Sequence, residues 1–195
     1  MKKFIKRAFD LVCVFFASIV FLPFFILVYI AIKMEDGGPA IFRQERIGYK
    51  GKPFMLYKFR SMKVDAEKGG KPQLWAGDEA ERLTKVGRFI REHHLDELPQ
   101  FWNIWKGDMS FVGYRPERQY FIDKIMAENP DYAKLYAMRP GVFSNATLYN
   151  GYTDTMEKML KRLDMDLEYL EHHNLWTDIV IIFKTGVSIL TGKKF

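Results

Sequence analysis

Asp96 and Glu97 are adjacent carboxylates in "HHLDELPQFWNIWKGDMSFVGYRPE", residues 93–117. They stand just ahead of a short amphipathic segment. A carboxylate at a helix start accepts N–H bonds and suits the positive end of the dipole, a contribution of ~1 kcal/mol. Capping accounts for Asp96 but not for a second acid beside it. Arginine-bearing turns lie nearby: Gly113-Tyr114-Arg115-Pro116 and, further on, Arg139-Pro140-Gly141. An arginine on a stiff Arg-Pro backbone presents a planar fork that suits phosphate oxygens. Pro116 is expected to open a helix whose free N–H groups also suit an anion. Two acids near phosphate-holding arginines fit a divalent cation, because Mg²⁺ takes one or two carboxylates plus substrate phosphates. These residues therefore describe a phosphate-handling, Mg²⁺-using site. The competing use of such charges is surface ion pairing, worth little energetically.

The elements that must position these residues follow from periodicity. "GGPA" closes a greasy N-terminal segment, and apolar and polar residues alternate on both sides of Gly48 to Lys52, which predicts a β-hairpin with a loop of about five residues. Asp65 to Glu81 reads as a Gly-rich polar loop able to lie over a site, with Trp75 as its candidate substrate contact. Thr84 should cap a helix carrying Val86, Phe89, Ile90 and His93 on one face. Asp96 should cap the next, with Pro99 in its first turn, Leu98, Phe101, Trp102 and Trp105 on its apolar side, and Gly107 ending it. Helices are expected over 116–128, 130–138 and 154–172, the last with Leu160, Leu163, Leu167 and Leu170 inward. Trp176, Ile179, Ile182, Phe183, Val187 and Leu190 recur at helical spacing near Lys193 and Lys194, which suits either core or a membrane interface. The pairs His93-His94 and His172-His173 point to different sides of a helix and make poor metal clamps.

Composition sets the class. The 195 residues are 48% apolar and 28% charged, which excludes a disordered chain. A net charge of +6 favours an anionic partner: nucleic acid, a phospholipid surface or a phosphorylated small molecule. One cysteine, Cys13, excludes an intrachain disulfide framework. Leu11 to Ile32 is a run of 22 residues without a charge. As a straight helix it would measure ~33 Å, enough to cross a hydrocarbon core of ~30 Å. Yet Pro23 sits near its middle, and both flanks are basic (Lys2, Lys3, Lys6 and Arg7 before; Lys33, Arg43, Arg46 and others after). Basic flanks stay cytoplasmic, so a re-entrant hairpin bent at Pro23 is preferred to a spanning helix, with Ser18 among the groups able to satisfy the freed backbone.

Three blocks carry a resemblance: "RQERIGYKGKPFMLYKFRSM", "RLTKVGRFIREHHLDELPQFWNIWKGDMSFVGYRPE" and "MRPG". With the N-terminal apolar helix and "DLEYLEHHNLWTDIVIIFKT", they make nearly the whole chain resemble the bacterial sugar transferases, the small monotopic phosphoglycosyl transferases. The resemblance implies transfer of a phosphosugar from a nucleoside diphosphate sugar, usually UDP-linked, to polyprenol (undecaprenyl) phosphate, with UMP released. It implies Asp96 as nucleophile forming an aspartyl phosphosugar, and Asp96 and Glu97 as holders of Mg²⁺. Arg115 and Arg139 are implied to grip phosphates. Lys58, Arg60 and Arg88 are candidates for the same task, against packing and surface pairing, and Arg91 shares the helix of Arg88. A chain of this size resembles the catalytic core without the extra membrane bundle of larger relatives. The family's pattern is broken at Leu22, where serine commonly precedes the proline, at Tyr114, where proline is usual, and at "VFSNATL" after Arg139-Pro140-Gly141.

The expected architecture is α+β and mainly helical: a membrane-associated hairpin over 1–36, then a cytoplasmic-face catalytic domain over 37–195 with a β-hairpin and amphipathic interfacial helices. The expected partners are a nucleotide sugar, polyprenol phosphate and phospholipid of the bacterial inner membrane, with no nucleic acid and a homo-oligomer left open. The other class of reading is a non-catalytic membrane-anchored module for anionic lipid or nucleic acid, which has no need of Asp96 and Glu97.

Overall fold

The structure is a computed structural model and describes residues 3–64, 66, 82–150, 153 and 155–191. The polar loop of residues 65–81 apart from Ala66, Trp75 within it, and Lys2, Lys193 and Lys194 lie outside the described residues.

The described chain is mostly helical with two small sheets. Helix α1 runs Lys3–Asp36 without a break at Pro23. Its 34 residues correspond to ~51 Å of helix, long and apolar enough to cross a membrane by length and composition. Polar ties hold both of its ends to the rest of the protein. At the N-terminal end, Lys6 pairs with Asp178, Arg7 donates to the carbonyl of Ile104, and Asp10 accepts from Ser110 and the Phe111 N–H. At the C-terminal end, Asp36 holds Arg60 and Glu35 accepts from the Lys85 N–H. Between these ties Phe16, Ile19, Val20, Leu22, Phe24 and Leu27 remain exposed. Ser18 is engaged by the indole N–H of Trp105 at 3.3 Å, so its place is at that contact with the protein body.

Strands β1 (Ile41–Ile47) and β2 (Pro53–Phe59) pair antiparallel, Ile41 opposite Phe59 and Ile47 opposite Pro53, around the five-residue loop expected from the sequence. Lys50 and Gly51 take positive φ in that loop, the left-handed conformation a tight reversal needs. Helix α2 (Lys85–Glu92) opens at Thr84, whose hydroxyl accepts from the Gly87 N–H. Helix α3 (Gln100–Lys106) ends at Gly107, which has φ 88°. Strand β3 (Ser110–Val112) lies parallel to β4 (Gly141–Phe143), with Ser110 opposite Gly141 and Val112 opposite Phe143. A Cβ at Gly141 would meet the Gly113 nitrogen at 2.1 Å, so only glycine lets the two backbones approach. Helices α4 (Gln119–Glu128), α5 (Asn145–Asn150), α6 (Met156–His172) and α7 (Leu175–Leu190) complete the order, with a 3₁₀ run over Pro130–Ala137.

Several sequence expectations need correction. Asp96 caps no helix: it sits in a single 3₁₀ turn, Leu95–Glu97, and α3 begins only at Gln100, just after Pro99. Pro116 does not open α4, which starts three residues later; its carbonyl instead accepts from Arg46. Trp102 and Trp105 face outward, and the buried side of α3 is Gln100, Asn103 and Ile104. Asn103 explains this. Its side chain bonds the backbone of β2 at both Met55 O (2.7 Å) and the Tyr57 N–H (3.1 Å), fixing the rotation of the helix. Phe89 of α2 and His93 just after its end are likewise exposed, while Ile90 is buried. The inward face of α6 is Met159, Arg162, Leu163, Asp166 and Tyr169, so of the expected leucine stripe only Leu163 is fully buried. On α7 four of the expected apolar residues point away, Trp176, Ile179, Phe183 and Val187, the first and third each 70% exposed, while the side turned inward carries Asp178, Ile181 and Thr185, with Ile182 packed against the core. That arrangement favours the interface reading of α7 over the core reading.

Candidate active site

His94, at φ 53°, reverses the chain after α2. The reversal presents Leu95–Glu97 as one tight turn. Leu95 and Leu98 pack on either side into the cluster of Val28, Ile32, Phe59 and Ile90, so the acids between them are fixed by burial of their neighbours. Asp96 is only 8% exposed and Glu97 is half-buried. Lys58 reaches them from β2, with Nζ 2.6 Å from Glu97 Oε1 and 3.8 Å from Asp96 Oδ2. Arg115, in the loop after β3, brings Nη2 to 3.6 Å from Glu97 Oε1.

The two acids are driven in opposite directions. Burial raises the Asp96 carboxyl, Lys58 offsets part of that, and the Glu97 charge adds to it, for a value of about 6. Burial works against Glu97 as well, but Lys58 and then Arg115 outweigh it and bring it to about 2. Near neutral pH Asp96 is the more basic of the two, a property that suits attack on phosphorus. Burial lowers the His94 imidazole below its ordinary value. In metal-free protein, Lys58→Met removes the leading electrostatic support of both carboxylates. Infrared titration of the variant is expected to show the Asp96 carboxyl titrating about one unit higher or more; an unmoved titration places Lys58 outside the pair's electrostatics.

The acids open into a cleft of ≈ 2430 Å³. Its apolar lining includes Phe16, Phe21, Phe24 and Leu27 of α1, with the Phe21 ring 6.2 Å from that of Phe101. Its polar lining includes Arg115, Glu117, Arg118, Ser144 and Arg162. Lys58, Asp96, Glu97 and Arg115 are thus brought together. Arg60 reaches the cleft, but its guanidinium is committed to Asp36 and to the carbonyl of Pro39, where it pins the end of α1 to the hairpin. Arg88 is not among the lining residues; its neighbour one turn on, Arg91, is. Arg139 is held elsewhere: its Nε donates to Gly107 O at 2.7 Å and its guanidinium lies over the Tyr49 ring. Its block still touches the site through the backbone, since Gly141 N donates to Tyr114 O at 2.9 Å. Tyr114, where the resemblance leads one to expect proline, is fully buried against Phe121, Ile122 and Tyr132. Three of the four histidines bond their own local backbone, His93 to Phe89, His172 to Glu168 and His173 to Leu170, while His94 lines the cleft.

Among the described residues no group of three or more His, Cys, Asp or Glu side chains gathers to hold a metal. Asp96 and Glu97 are the two that could hold one jointly. A two-carboxylate set suits Mg²⁺ completed by substrate phosphates, and the Lys58 ammonium already bridges the pair as a cation.

Missed from sequence was the buried bridge behind Arg115. Glu117 accepts from Arg46 on β1 and from Arg162 on α6. The glutamate follows Arg115-Pro116 directly, but its two partners lie 71 and 45 positions away, and no local signal joins them.

Comparison with known proteins identifies the family. The model of the bacterial sugar transferase family matches residues 1–192, and the chain belongs to that family. A UDP-N-acetylgalactosamine-undecaprenyl-phosphate N-acetylgalactosaminephosphotransferase of Aeromonas hydrophila is 39% identical over 189 residues, 97% of this chain and 44% of that protein. A UDP-glucose:undecaprenyl-phosphate glucose-1-phosphate transferase of Caulobacter vibrioides is 39% identical over 188 residues, 95% of this chain and 70% of the relative. The corresponding Escherichia coli transferase is 39% identical over 187 residues, 95% of this chain and 40% of its own length. The chain therefore spans less than half of two of these relatives.

Proposed function

We propose that this chain transfers a phosphosugar from a UDP-linked sugar to undecaprenyl phosphate at the cytoplasmic face of the bacterial inner membrane. The observation that carries the reading is the buried acid pair, braced by Lys58 and Arg115, in a cleft that apolar residues of α1 also line. A lipid phosphate cannot leave the headgroup plane, so a nucleophile serving it must sit at that plane. The relatives' names supply the substrate classes, and they differ in sugar.

In this reading an Asp96 oxygen attacks the phosphorus next to the sugar. The bond from that phosphorus to the bridging oxygen breaks, and UMP leaves with the electron pair. The carrier's phosphate oxygen then attacks the same phosphorus and expels Asp96 as carboxylate. Neither step needs a proton donor, which suits a site built from cations rather than from a positioned acid. Lys58 and Arg115 hold the phosphate oxygens in line, and Glu97, ionised throughout, fixes both cations. Mg²⁺ held by Asp96 and Glu97 would supply charge neutralisation between an anionic nucleophile and a diphosphate.

We further propose that residues 1–36 form a re-entrant membrane element and residues 37–195 the catalytic domain at its surface. Support comes from the polar ties at both ends of α1 to one body and the exposed apolar stretch around Pro23 between them. A straight spanning helix would carry its ends to opposite faces of the bilayer. The outward apolar residues of α7, Trp176 and Phe183, extend the same membrane-facing surface.

Mass spectrometry tests the chemistry. Purified protein with Mg²⁺ and a panel of UDP-sugars, without carrier, is expected to gain one phosphosugar on Asp96 and release stoichiometric UMP. An adduct on another residue removes Asp96 as nucleophile. No UMP with any donor overturns the reading in favour of a membrane-anchored binding module.

A further inference from the structure

Arg115 reaches the cleft from a short stretch of chain whose backbone is held on both sides of it. The Tyr114 carbonyl accepts from the Gly141 N–H at 2.9 Å, the Pro116 carbonyl from Arg46 at 3.1 Å, and the Glu117 carbonyl from the Ile47 N–H at 3.1 Å. Pro116 also confines Arg115 to extended backbone, because a proline ring crowds the residue before it. The Arg115 N–H is taken up from α6, where it donates to the Asp166 carboxylate. Asp166 stands one turn after Arg162 and one turn before Tyr169, and all three belong to the inward face of α6. Arg162 grips the Glu117 carboxylate at 2.5 Å, and the Tyr169 hydroxyl reaches the Val112 carbonyl at 3.5 Å. One stripe of α6 thus holds this stretch at its start, middle and end. Asp166 has the middle, at the residue whose guanidinium lies 3.6 Å from Glu97.

An acid is a costly choice for that task. Asp166 is 3% exposed, and its Oδ1 has no hydrogen-bond partner among the described residues. Burial pushes its carboxyl up to about 7, with Arg162 offsetting part of the rise. Ionising it near neutral pH therefore costs folding stability. What a carboxylate supplies is a charge-assisted acceptor, roughly twice as strong as a neutral one.

We propose that Asp166 is a positioning residue: by holding the Arg115 N–H it fixes where the Arg115 guanidinium meets the diphosphate of the nucleotide sugar. This deepens the proposed function, on which it rests. Asp166 is not among the residues that line the cleft, so its effect on a ligand passes through Arg115.

The test uses the full chain in nanodiscs with Mg²⁺, titrated calorimetrically with UDP as the diphosphate probe. Asp166→Ala releases the N–H and is expected to weaken UDP about tenfold. Asp166→Asn keeps an oxygen acceptor and is expected to recover most of that loss. In an Arg115→Met background Asp166→Ala should cost little more, because the group it positions is gone. A purely structural role would give the same loss in both backgrounds. Asp166→Leu, which also lacks an acceptor, serves where Asp166→Ala does not fold. Unchanged UDP affinity in the folded variant overturns the proposal, as does a loss undiminished in the Arg115→Met background. An Asp166→Asn variant as weak as Asp166→Ala removes the hydrogen bond as the means and overturns it too. If UDP affinity follows the expected pattern while the wild type forms no adduct on residue 96, the positioning role stands and the proposed reaction fails.

Discussion

Asp96→Asn is expected to abolish sugar-phosphate transfer, by at least about 10³-fold in kcat/KM, and at the same time to make the protein more stable. The first half follows from the proposed role of Asp96 as the group that bonds to phosphorus; an amide is no nucleophile there. The second follows from burial. Asp96 is 8% exposed and its carboxyl is raised from 3.8 to about 6. The folded state therefore holds this proton more tightly than the unfolded chain does. Ionising Asp96 costs stability as pH rises from about 4 to about 6, by up to ~3 kcal/mol for a shift of this size. Asparagine carries no such cost. At pH 7–8 the variant should gain about 1–3 kcal/mol, a rise of several degrees for a chain of this length, and the gap should close as pH falls toward 4. Glu97 has the opposite sign. Its folded value is depressed from 4.5 to about 2, so its contribution is present above 4.5 and fades as pH falls toward 2. Glu97→Gln is thus expected to destabilise at neutral pH. Thermal unfolding across pH 4–8 separates the pair. A wild type more stable than Asp96→Asn at pH 8 would remove the claim that burial strains this carboxylate, and retained turnover would remove its role.

Local patterns in the sequence were enough for the hairpin and its five-residue loop, for the Thr84 cap and for the Gly107 stop, because each depends on residues within a few positions of one another. The acid pair was legible for the same reason, whereas Lys58 was a candidate only through the family resemblance. Rotation of the helices was not. Four aromatic or aliphatic residues of α3 suggested an apolar side, yet Asn103 fixes the helix by bonding β2 some 46 to 48 positions away, and the tryptophans turn outward. In α6 the leucine stripe shares the inward face with Arg162 and Tyr169, polar groups drawn inward by Glu117 and Asp178 from other elements. Buried polar bridges of this kind override hydrophobic periodicity because an unpaired buried charge costs more than an exposed leucine. Arg139 shows the converse. Its Arg-Pro-Gly block looks like a phosphate clamp, but Gly141 is needed for close backbone packing and the guanidinium is taken by Gly107 O.

The largest stability loss is expected at Lys6→Met, a residue with no part in the chemistry. Its Nζ lies 2.6 Å from Asp178 Oδ2 and 3.4 Å from Asp10 Oδ1, and these carboxylates are 0% and 1% exposed. Tyr169 donates to Asp178 at 2.5 Å, its phenol held protonated by burial and then by that carboxylate. Ser110 and the Phe111 N–H donate to Asp10 at 2.9 and 3.1 Å. One ammonium thus joins α1, α6, α7 and β3. Methionine keeps the length of the side chain but leaves two buried carboxylates without a cation, a loss of about 3–5 kcal/mol. The effect should reach the site, because β3 runs directly into the loop of Arg115. Denaturant unfolding in detergent micelles should show the loss. The double variant Lys6→Met/Asp178→Asn should recover part of it, since the nearer of the two stranded charges is removed with the ammonium. If Lys6→Met unfolds at the wild-type midpoint, the junction does not hold α1 and α7 together, and their proposed placement on one surface loses its physical basis.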